Sequence, residues 1–574
     1  MAIRVSISKS KNAKSYYLIE DVVKNGKRTT QIREKLGTHE ELLKELNGQD
    51  PYEWAKKYAE ELNRKEKENK QEKNIIVKYS PTKQIMKNKQ NTFNGGYLFL
   101  QKIYYELGLH KICDEISEKY KFEYDLNSIL SRLLYSRIIY PSSKLSTYKL
   151  SKRFFEQPNF DLHHIYRALS VLAEENDFIQ ATIYENSKKI CNRNTKILYY
   201  DCTNYYFEID YEEDDKRYGY GKDHKPNPIV QMGLFMDGSG IPLAFSINRG
   251  NANEQTTMVP LEEKILSDFN LAKFIVCTDA GLSSTANRKF NDKGDRAFIT
   301  TQSVKKLKEH LKNWALKPTG WSLPNDSTEY DISKLDEEEY KDKVFYKDRW
   351  IKEDGLEQKL IVTFSFKYRK YQQQKRQVHI EKALSLLETE PQKSNKKRNS
   401  DYKRFIKSVN CTESGEIADN EVYYIDEELI AKEQKYDGFY AVCTNLDDDA
   451  SEIAKINHRR WEIEECFRIM KSEFKARPVH LKDKDRILAH FATCFMALIL
   501  YRILEKRLEE KYTCCEIIQC LRDMNFTDEN GYGYKPCYTR TDLTDDLHNV
   551  FGFRTDYEII TEKEMKKIFK LTKK

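Results

Sequence analysis

Apolar and polar positions alternate along residues 15–36 and break at Asn25-Gly26, a pair that favours a two-residue hairpin turn. Gly37 and Thr38 then lead into a helix at about 39–47, and the charged run 64–73 marks a boundary, as a solvated helix or a linker. From about 96 to 192 the apolar period is helical. Leu98, Leu100, Ile103, Tyr104 and Leu107 share one face; Leu126 to Ile139 forms another, stopped by Pro141, with Ser142 and Ser143 placed to cap the next helix. Lys144, Lys149, Lys152 and Arg153 are expected on an exposed face that suits DNA contact; a helical bundle with an ordinary solvated face has the same pattern.

The next block is strand-rich. Ile197 to Tyr200, Ile229 to Met236 and Ile241 to Ile247 read as strands, the last two joined by Asp237-Gly-Ser-Gly240. A helix at about 256–268, the strand Phe274 to Cys277, a short helix at about 283–291 and the strand Ala297 to Thr300 follow. Three strands joined by short turns, then helix, strand, helix and strand, is the order of a ribonuclease-H-like α/β sheet. Residues 305–435 break that rhythm with strand-like pieces at Tyr346 to Ile351 and Lys359 to Phe366. They also hold a basic run that includes Lys367, Arg369, Lys370, Lys375, Arg376, Lys396, Lys397, Arg398, Lys403 and Arg404, and are read as an inserted subdomain. Phe439 to Cys443 returns to the main sheet, and 452–574 is helical. The divisions expected are 1–63, hairpin plus helix; 64–95, linker; 96–192, helical DNA-binding domain; 193–304 and 436–482, the two parts of the core; 305–435, insertion; and 483–574, C-terminal helices.

Composition narrows the class without deciding it. Charged residues make up 33% of the 574 positions, yet the net charge is only +7, so the local clusters of Lys and Arg say more than the total. The 12 cysteines form no C-x-x-C pair and read as reduced, buried thiols. Arg4, Lys9, Lys11 and Lys14 interrupt any apolar leader, and the run Ile487 to Tyr501, which contains His490, is short for a bilayer span. A soluble, cytoplasmic protein with no membrane partner is expected.

Two acids stand where sheet proteins hold ligands: Asp201 directly after an apolar strand, and Asp279 directly after another, beside Gly281. Each alone is equally a cap or turn residue. A third candidate lies in the run Asn457 to Lys475. Projected as one continuous helix, Glu464 has Arg460, Arg468, Lys471 and Lys475 within about 40° of it, apart from an apolar stripe of Ile456, Ile463, Phe467, Met470 and Phe474. An i,i+4 salt-bridge face satisfies this spacing as well as a catalytic carboxylate ringed by phosphate-binding cations does. Phosphodiester cleavage gives the three acids a common purpose, because carboxylates hold the pair of Mg²⁺ ions that such chemistry uses. Lys222 and His224, in a loop after Asp201, are candidate DNA contacts; for His224 a plain surface loop is the simpler reading. Trp461 and the aromatic run Tyr205-Tyr206-Phe207 read as packing before base stacking.

Arg460-x3-Glu464-x6-Lys471 resembles the conserved motif of bacterial insertion-sequence DDE transposases that carry an insertion domain before the glutamate. The family has Tyr three residues before the Arg, where this chain has Asn457. Gly219 to Pro226, Met232 to Asp237, Gly240 to Leu243, Gly250-Asn251 and Asp279-Ala-Gly are also similar to that family, so the resemblance covers about 125–545. It implies a ribonuclease-H-like, retroviral-integrase-like core with a largely β insertion. It further implies two Mg²⁺ or Mn²⁺ ions on Asp201, Asp279 and Glu464, DNA-backbone roles for Arg460 and Lys471, terminal inverted repeats and target DNA as substrates, and a synaptic homodimer. The competing readings are a nuclease of the same fold without strand transfer, and a non-catalytic DNA-binding descendant.

Overall fold

The computed structural model describes residues 3–10, 13–24, 27–46, 49–68, 75–77, 79–222, 225–390, 401–411 and 417–574. The turn pair Asn25-Gly26, His224 and Lys396 to Arg398 lie outside them. The chain divides into two compact units, 1–89 and 90–574.

In the first unit β2 (Lys14–Lys24) and β3 (Lys27–Thr38) pair antiparallel as the alternation predicts, but β1 (Ile3–Lys9) adds to β2, making a three-stranded sheet rather than a hairpin. The helix α1 (His39–Glu45) opens on a capping box between Thr38 and Glu41, and α2 (Pro51–Glu68) starts at a proline, whose missing N–H costs nothing there. Ile3, Leu18 and Ala59 form the small core of this unit.

The second unit begins with the short strand β4 (Thr92–Asn94) and six helices: α3 (Tyr97–Glu106), α4 (Leu109–Tyr120), α5 (Leu126–Ile139), α6 (Lys144–Ser151), α7 (Leu162–Glu174) and α8 (Asn176–Ser187). Asp125 and Ser143 cap α5 and α6 through hydrogen bonds from Ser128 N and Ser146 N. Next come β5 (Ile197–Tyr206), β6 (Ile229–Asp237), β7 (Pro242–Arg249), α9 (Met258–Asp268), β8 (Ile275–Thr278), α10 (Thr285–Phe290), β9 (Ala297–Gln302) and α11 (Glu309–Leu316). The stretch read as an insertion holds β10 (Phe345–Glu353), β11 (Leu356–Phe364), α12 (Phe366–Thr389), β12 (Ile406–Cys411), β13 (Ile417–Ile425) and α13 (Glu427–Gln434). After it come β14 (Phe439–Thr444), α14 (Ala450–His458), α15 (Trp461–Arg468), a π-helical turn (Ile469–Glu473), α16 (Lys484–Arg507), α17 (Cys514–Asp523), β15 (Asn525–Asp528), β16 (Tyr534–Pro536), α18 (Asp542–Phe551) and α19 (Glu562–Leu571).

The main sheet has eight strands in the order β10-β11-β14-β9-β8-β5-β6-β7. Its centre is parallel, β5 to β8 to β9, and the outer pairs are antiparallel, so the protein is mixed α/β. Strand alternation sends Tyr199, Tyr205, Met232, Leu234 and Cys277 to one face, packed with α15 and α16, and Leu198, Tyr200, Phe235 and Val276 to the other, packed with α9.

Besides the strands β15 and β16 in a stretch read as wholly helical, three features differ from the sequence reading. First, β10 and β11 are not a separate β piece but extend the main sheet, and the first half of the basic run following them, Lys367 to Arg376, lies on the 24-residue helix α12. Several of its cations are neutralised: Arg376 is buried on Asp437, and Arg369 and Arg404 pair with Glu337 and Glu433. Second, α16 has 24 residues, long enough to cross a bilayer, but it is apolar all round because it is buried: 94% of its most apolar window lies inside the fold. The helices of 97–187 supply much of that cover and share its core. Third, Lys144, expected on the surface, is buried.

The β6–β7 turn illustrates how tightly the layers meet. Gly240 has φ +79°, and a Cβ there would fall 2.4 Å from Glu462 Oε2 and 2.6 Å from Arg502 Nη2. Gly240→Ala should therefore destabilise by about 2 kcal/mol or more, the left-handed backbone alone costing roughly 1–2 kcal/mol. Urea denaturation midpoints at unchanged slope would show it; a shift under about 0.5 kcal/mol would mean that the turn relaxes freely.

Candidate active site

Parallel register places the two aspartates. Tyr199 on β5 stands opposite Cys277 on β8; Asp201 lies two residues further along β5 and Asp279 directly after the end of β8, near enough to act on the Asp201 carboxyl. Asp201 shares the face of Tyr199, because side chains repeat every second residue along a strand. Asp201 is buried and accepts a hydrogen bond from Cys202 N at 2.8 Å. Asp279 accepts one from Leu282 N at 2.9 Å, and its carbonyl takes one from Thr300 Oγ1 at 3.3 Å.

The Asp201 carboxyl is pushed up to about 6: burial raises it most and Asp279 adds to the rise, while Lys222, the Cys202 N–H and Arg460 oppose it. Four charged groups from separate parts of the chain thus act on one another here. Lys222 donates from Nζ to Cys202 O at 2.5 Å and anchors its backbone N–H on Asn204 Oδ1 at 2.9 Å. Lys471 points inward from the π-helical turn, 5.6 Å from the Tyr205 ring. Burial and then Lys222 lower its ammonium to about 8, with Asp201 opposing them.

The helix pair over this face carries the third acid. Tyr199 donates from its hydroxyl to Ile456 O at 2.9 Å, and Cys277 Sγ lies 3.5 Å from Asn457 Oδ1, so α14 is tied to both acidic strands. Asn457 also donates to Tyr440 Oη at 2.9 Å. The position where the resembling family has a tyrosine is therefore buried here, and the phenol beside it comes from β14. Beyond α14 the chain turns at Arg459-Arg460 and restarts as α15, where Arg460 Nη1 lies 3.3 Å from Glu464 Oε1. Glu464 faces an open cleft of about 770 Å³ shared with Tyr440, Asn457, Arg460 and Trp461. Trp461, read from sequence as packed, is 56% exposed.

Not every predicted site residue joins this cluster. The continuous-helix projection fails on both sides of α15. Arg468 turns to Glu465, at 2.5 Å, and Glu473, at 3.7 Å, rather than to Glu464. Lys475 follows the π-helical turn with φ +48° and lines a different cavity. Glu462 is buried between Arg459 and Arg502, a structural role. Tyr205 and Phe207 are core residues, as read.

Among the described residues, the acid and imidazole groups whose ligand atoms all lie within 4.8 Å of one another are Asp161, His163, His164 and Asp545, His548, Asp556. Ion pairs to Arg540 and Arg554 account for the second. Asp201, Asp279 and Glu464 are not drawn so tight. The aspartate pair nonetheless suits a hard divalent cation, because the charge of Asp279 adds to the cost of ionising the buried Asp201, which a cation between them would offset. Arg460, which pairs with Glu464, also acts on the Asp201 carboxyl.

A family model described as "Transposase DDE domain" matches residues 202–500, just over half of the 574-residue chain. The match opens one residue after Asp201 and takes in Asp279 and Glu464. The chain belongs to this family and is a transposase. Among solved structures, the cryo-EM structure of a piggyBac transposase synaptic complex with hairpin DNA is similar at 9% identity and TM-score 0.35, over 82% of this chain and 86% of that one. No curated protein matches this chain.

Proposed function

We propose that this transposase cuts DNA at the ends of a bacterial insertion sequence and joins the freed ends to target DNA, using Asp201, Asp279 and Glu464 as its catalytic carboxylates. The observation that carries the reading is that Asp279 and Arg460 both act on the buried Asp201 carboxyl, while Arg460 pairs with Glu464. The strand order β9-β8-β5-β6-β7, with the first acid on the central strand, supports a ribonuclease-H-like core. Asp201, Asp279 and Glu464 would hold two Mg²⁺ or Mn²⁺ ions, which when bound supply activation of the attacking oxygen and stabilisation of the leaving one. Arg460, Lys471 and Lys222 set positive charge around the two aspartates, where a phosphodiester must lie, and orient it by charge-assisted contacts. In the first step a water oxygen attacks phosphorus and the bond to the 3′-oxygen breaks, freeing a 3′-hydroxyl. In the second that hydroxyl attacks a target phosphodiester and displaces its 3′-oxygen. A homodimer holding two terminal inverted repeats, acting on nucleoid DNA in the cytoplasm, is the assembly this reading requires.

The test uses the full chain with duplex DNA carrying the inverted repeats that flank its gene. Cleavage at the repeat end and transfer of pre-cut ends are expected with Mg²⁺ and should stop on chelation. Hydrolysis without transfer would make the protein a nuclease, and metal-independent cleavage would remove the carboxylate mechanism.

A further inference from the structure

Lys144 heads α6 and was expected in solvent, yet it is only 5% exposed, and its ammonium is buried with no hydrogen-bond partner among the described residues. A buried cation without a partner costs stability unless something else meets it. It lines a cavity of about 310 Å³, roughly ten times a water's share of the liquid. The other polar side chains turned to this cavity are basic or neutral: Arg137, Ser142, Lys475, Arg477 and His480 among them, with no carboxylate in the lining. Arg137 is buried and uses Nη1 on Phe474 O at 3.0 Å, while its Nε and the Ser142 hydroxyl are further buried groups without a partner among the described residues. Burial, and then Arg137, bring the Lys144 ammonium down to about 7. His490 on α16 is driven well below its usual range by burial, Arg137 and Lys144. The N-terminus of α6 adds its dipole to this positive field.

The cavity is also continuous with the strand that carries Asp201. Val479 donates its N–H to Tyr206 O at 3.1 Å and bridges to Phe207, so the segment 475–480 runs along the end of β5, and Arg477 lies over the Tyr206 ring at 6.0 Å. Five residues of strand put Tyr206 about 17 Å from Asp201. That is a spacing of a few nucleotides along a bound strand, on the order of five at about 3.4 Å each.

We propose that this cavity is a phosphate-binding pocket, with Lys144 and Arg137 at its base and Lys475 and Arg477 at its rim, and that it takes a backbone phosphate of the DNA a few nucleotides from the bond to be cut. This deepens the reading of the protein as a DNA-cutting transposase and rests on it for the source of the phosphate. The unpartnered ammonium is thus a binding group kept at the expense of stability.

The test compares the wild-type full chain with Lys144→Met and Lys144→Gln. Inorganic phosphate at fixed ionic strength should raise the melting temperature of the wild type and leave both variants unmoved. Duplex DNA binding should weaken by about tenfold or more in the variants. Its log–log dependence on salt should flatten by about one, the share of a single phosphate contact. Without phosphate or DNA, Lys144→Met should melt no lower than the wild type; Lys144→Gln keeps the test available if the apolar variant does not fold. Unchanged salt slopes with an unchanged phosphate response in a wild type that cleaves DNA would overturn the pocket alone. A phosphate response lost in the variants with the DNA slope unchanged would overturn DNA as its source. A wild type that never cleaves would sink the transposase mechanism and leave the phosphate response to decide the pocket.

Discussion

Asp201→Asn and Asp279→Asn should each lower strand cleavage and strand transfer by at least about 10²–10³-fold, the loss expected when one preorganised electrostatic group is removed from a catalytic centre. Asparagine keeps the size of the side chain and its acceptor oxygen, so the bonds from Cys202 N and Leu282 N survive. What disappears is one negative charge of an adjacent pair, and with it the affinity for a hard cation. The same change removes a buried carboxylate whose ionisation is already opposed by burial and by its neighbour. In chelator, therefore, Asp201→Asn should melt no lower than the wild type while being inactive with metal. A structural aspartate would show the opposite pattern, lost stability and retained chemistry. Glu464→Gln should join the inactive set, whereas Glu465→Gln, whose carboxylate is engaged by Arg468, should keep cleavage within a few-fold. Equal losses at 464 and 465 would mean that α15 is merely sensitive to substitution and would remove Glu464 from the carboxylate set.

The aspartates were legible in the sequence because apolar strands announce themselves by run and length; Asp279 follows its strand as expected, whereas Asp201, read as following its strand, lies in the middle of β5, which runs on to Tyr206. Arg460 and Glu464 were legible for a related reason: four residues on a helix fix a neighbour locally. Beyond one turn the projection fails, since neither Pro nor Gly marks the break at Arg459-Arg460, and the π-helical turn at Ile469–Glu473 resets the phase. Hence Lys471 faces inward while Arg468 and Lys475 diverge from Glu464, an outcome set by packing on β5 rather than by the helical period. Long-range coverage was the other blind spot. Lys144 is hidden by the segment 475–480, more than three hundred residues away, and β4 pairs with β15 across the length of the unit. The strands β10 and β11 read correctly as strands, but nothing local could tell that β11 would dock on β14.

Arg502→Met should be the most damaging single substitution to the fold, costing about 3–5 kcal/mol, the range for breaking a buried ion pair by removing one partner. Arg502 is buried on a largely apolar helix and serves three elements at once. Its Nε donates to Gly240 O at 2.8 Å in the β6–β7 turn, Nη2 lies 3.6 Å from Glu462 on α15, and Nη1 pairs with Glu505 on its own helix. Methionine fills much of the volume but leaves two buried carboxylates. Glu462 would retain only Arg459, whose Nε donates to it at 2.9 Å, and Glu505 only Tyr501, whose hydroxyl donates at 2.9 Å. Burial already raises the Glu505 carboxyl, with Arg502 opposing the rise, so losing the guanidinium leaves desolvation uncompensated. Glu462→Gln in the same chain should recover part of the loss, because the stranded charge rather than the missing bond carries most of the penalty. Since Glu462 sits two residues from Glu464, folded Arg502→Met protein should also cut DNA more slowly than its folded fraction accounts for. A urea midpoint within about 0.5 kcal/mol of the wild type would show that the guanidinium is replaceable and that α15 is held by its apolar stripe alone.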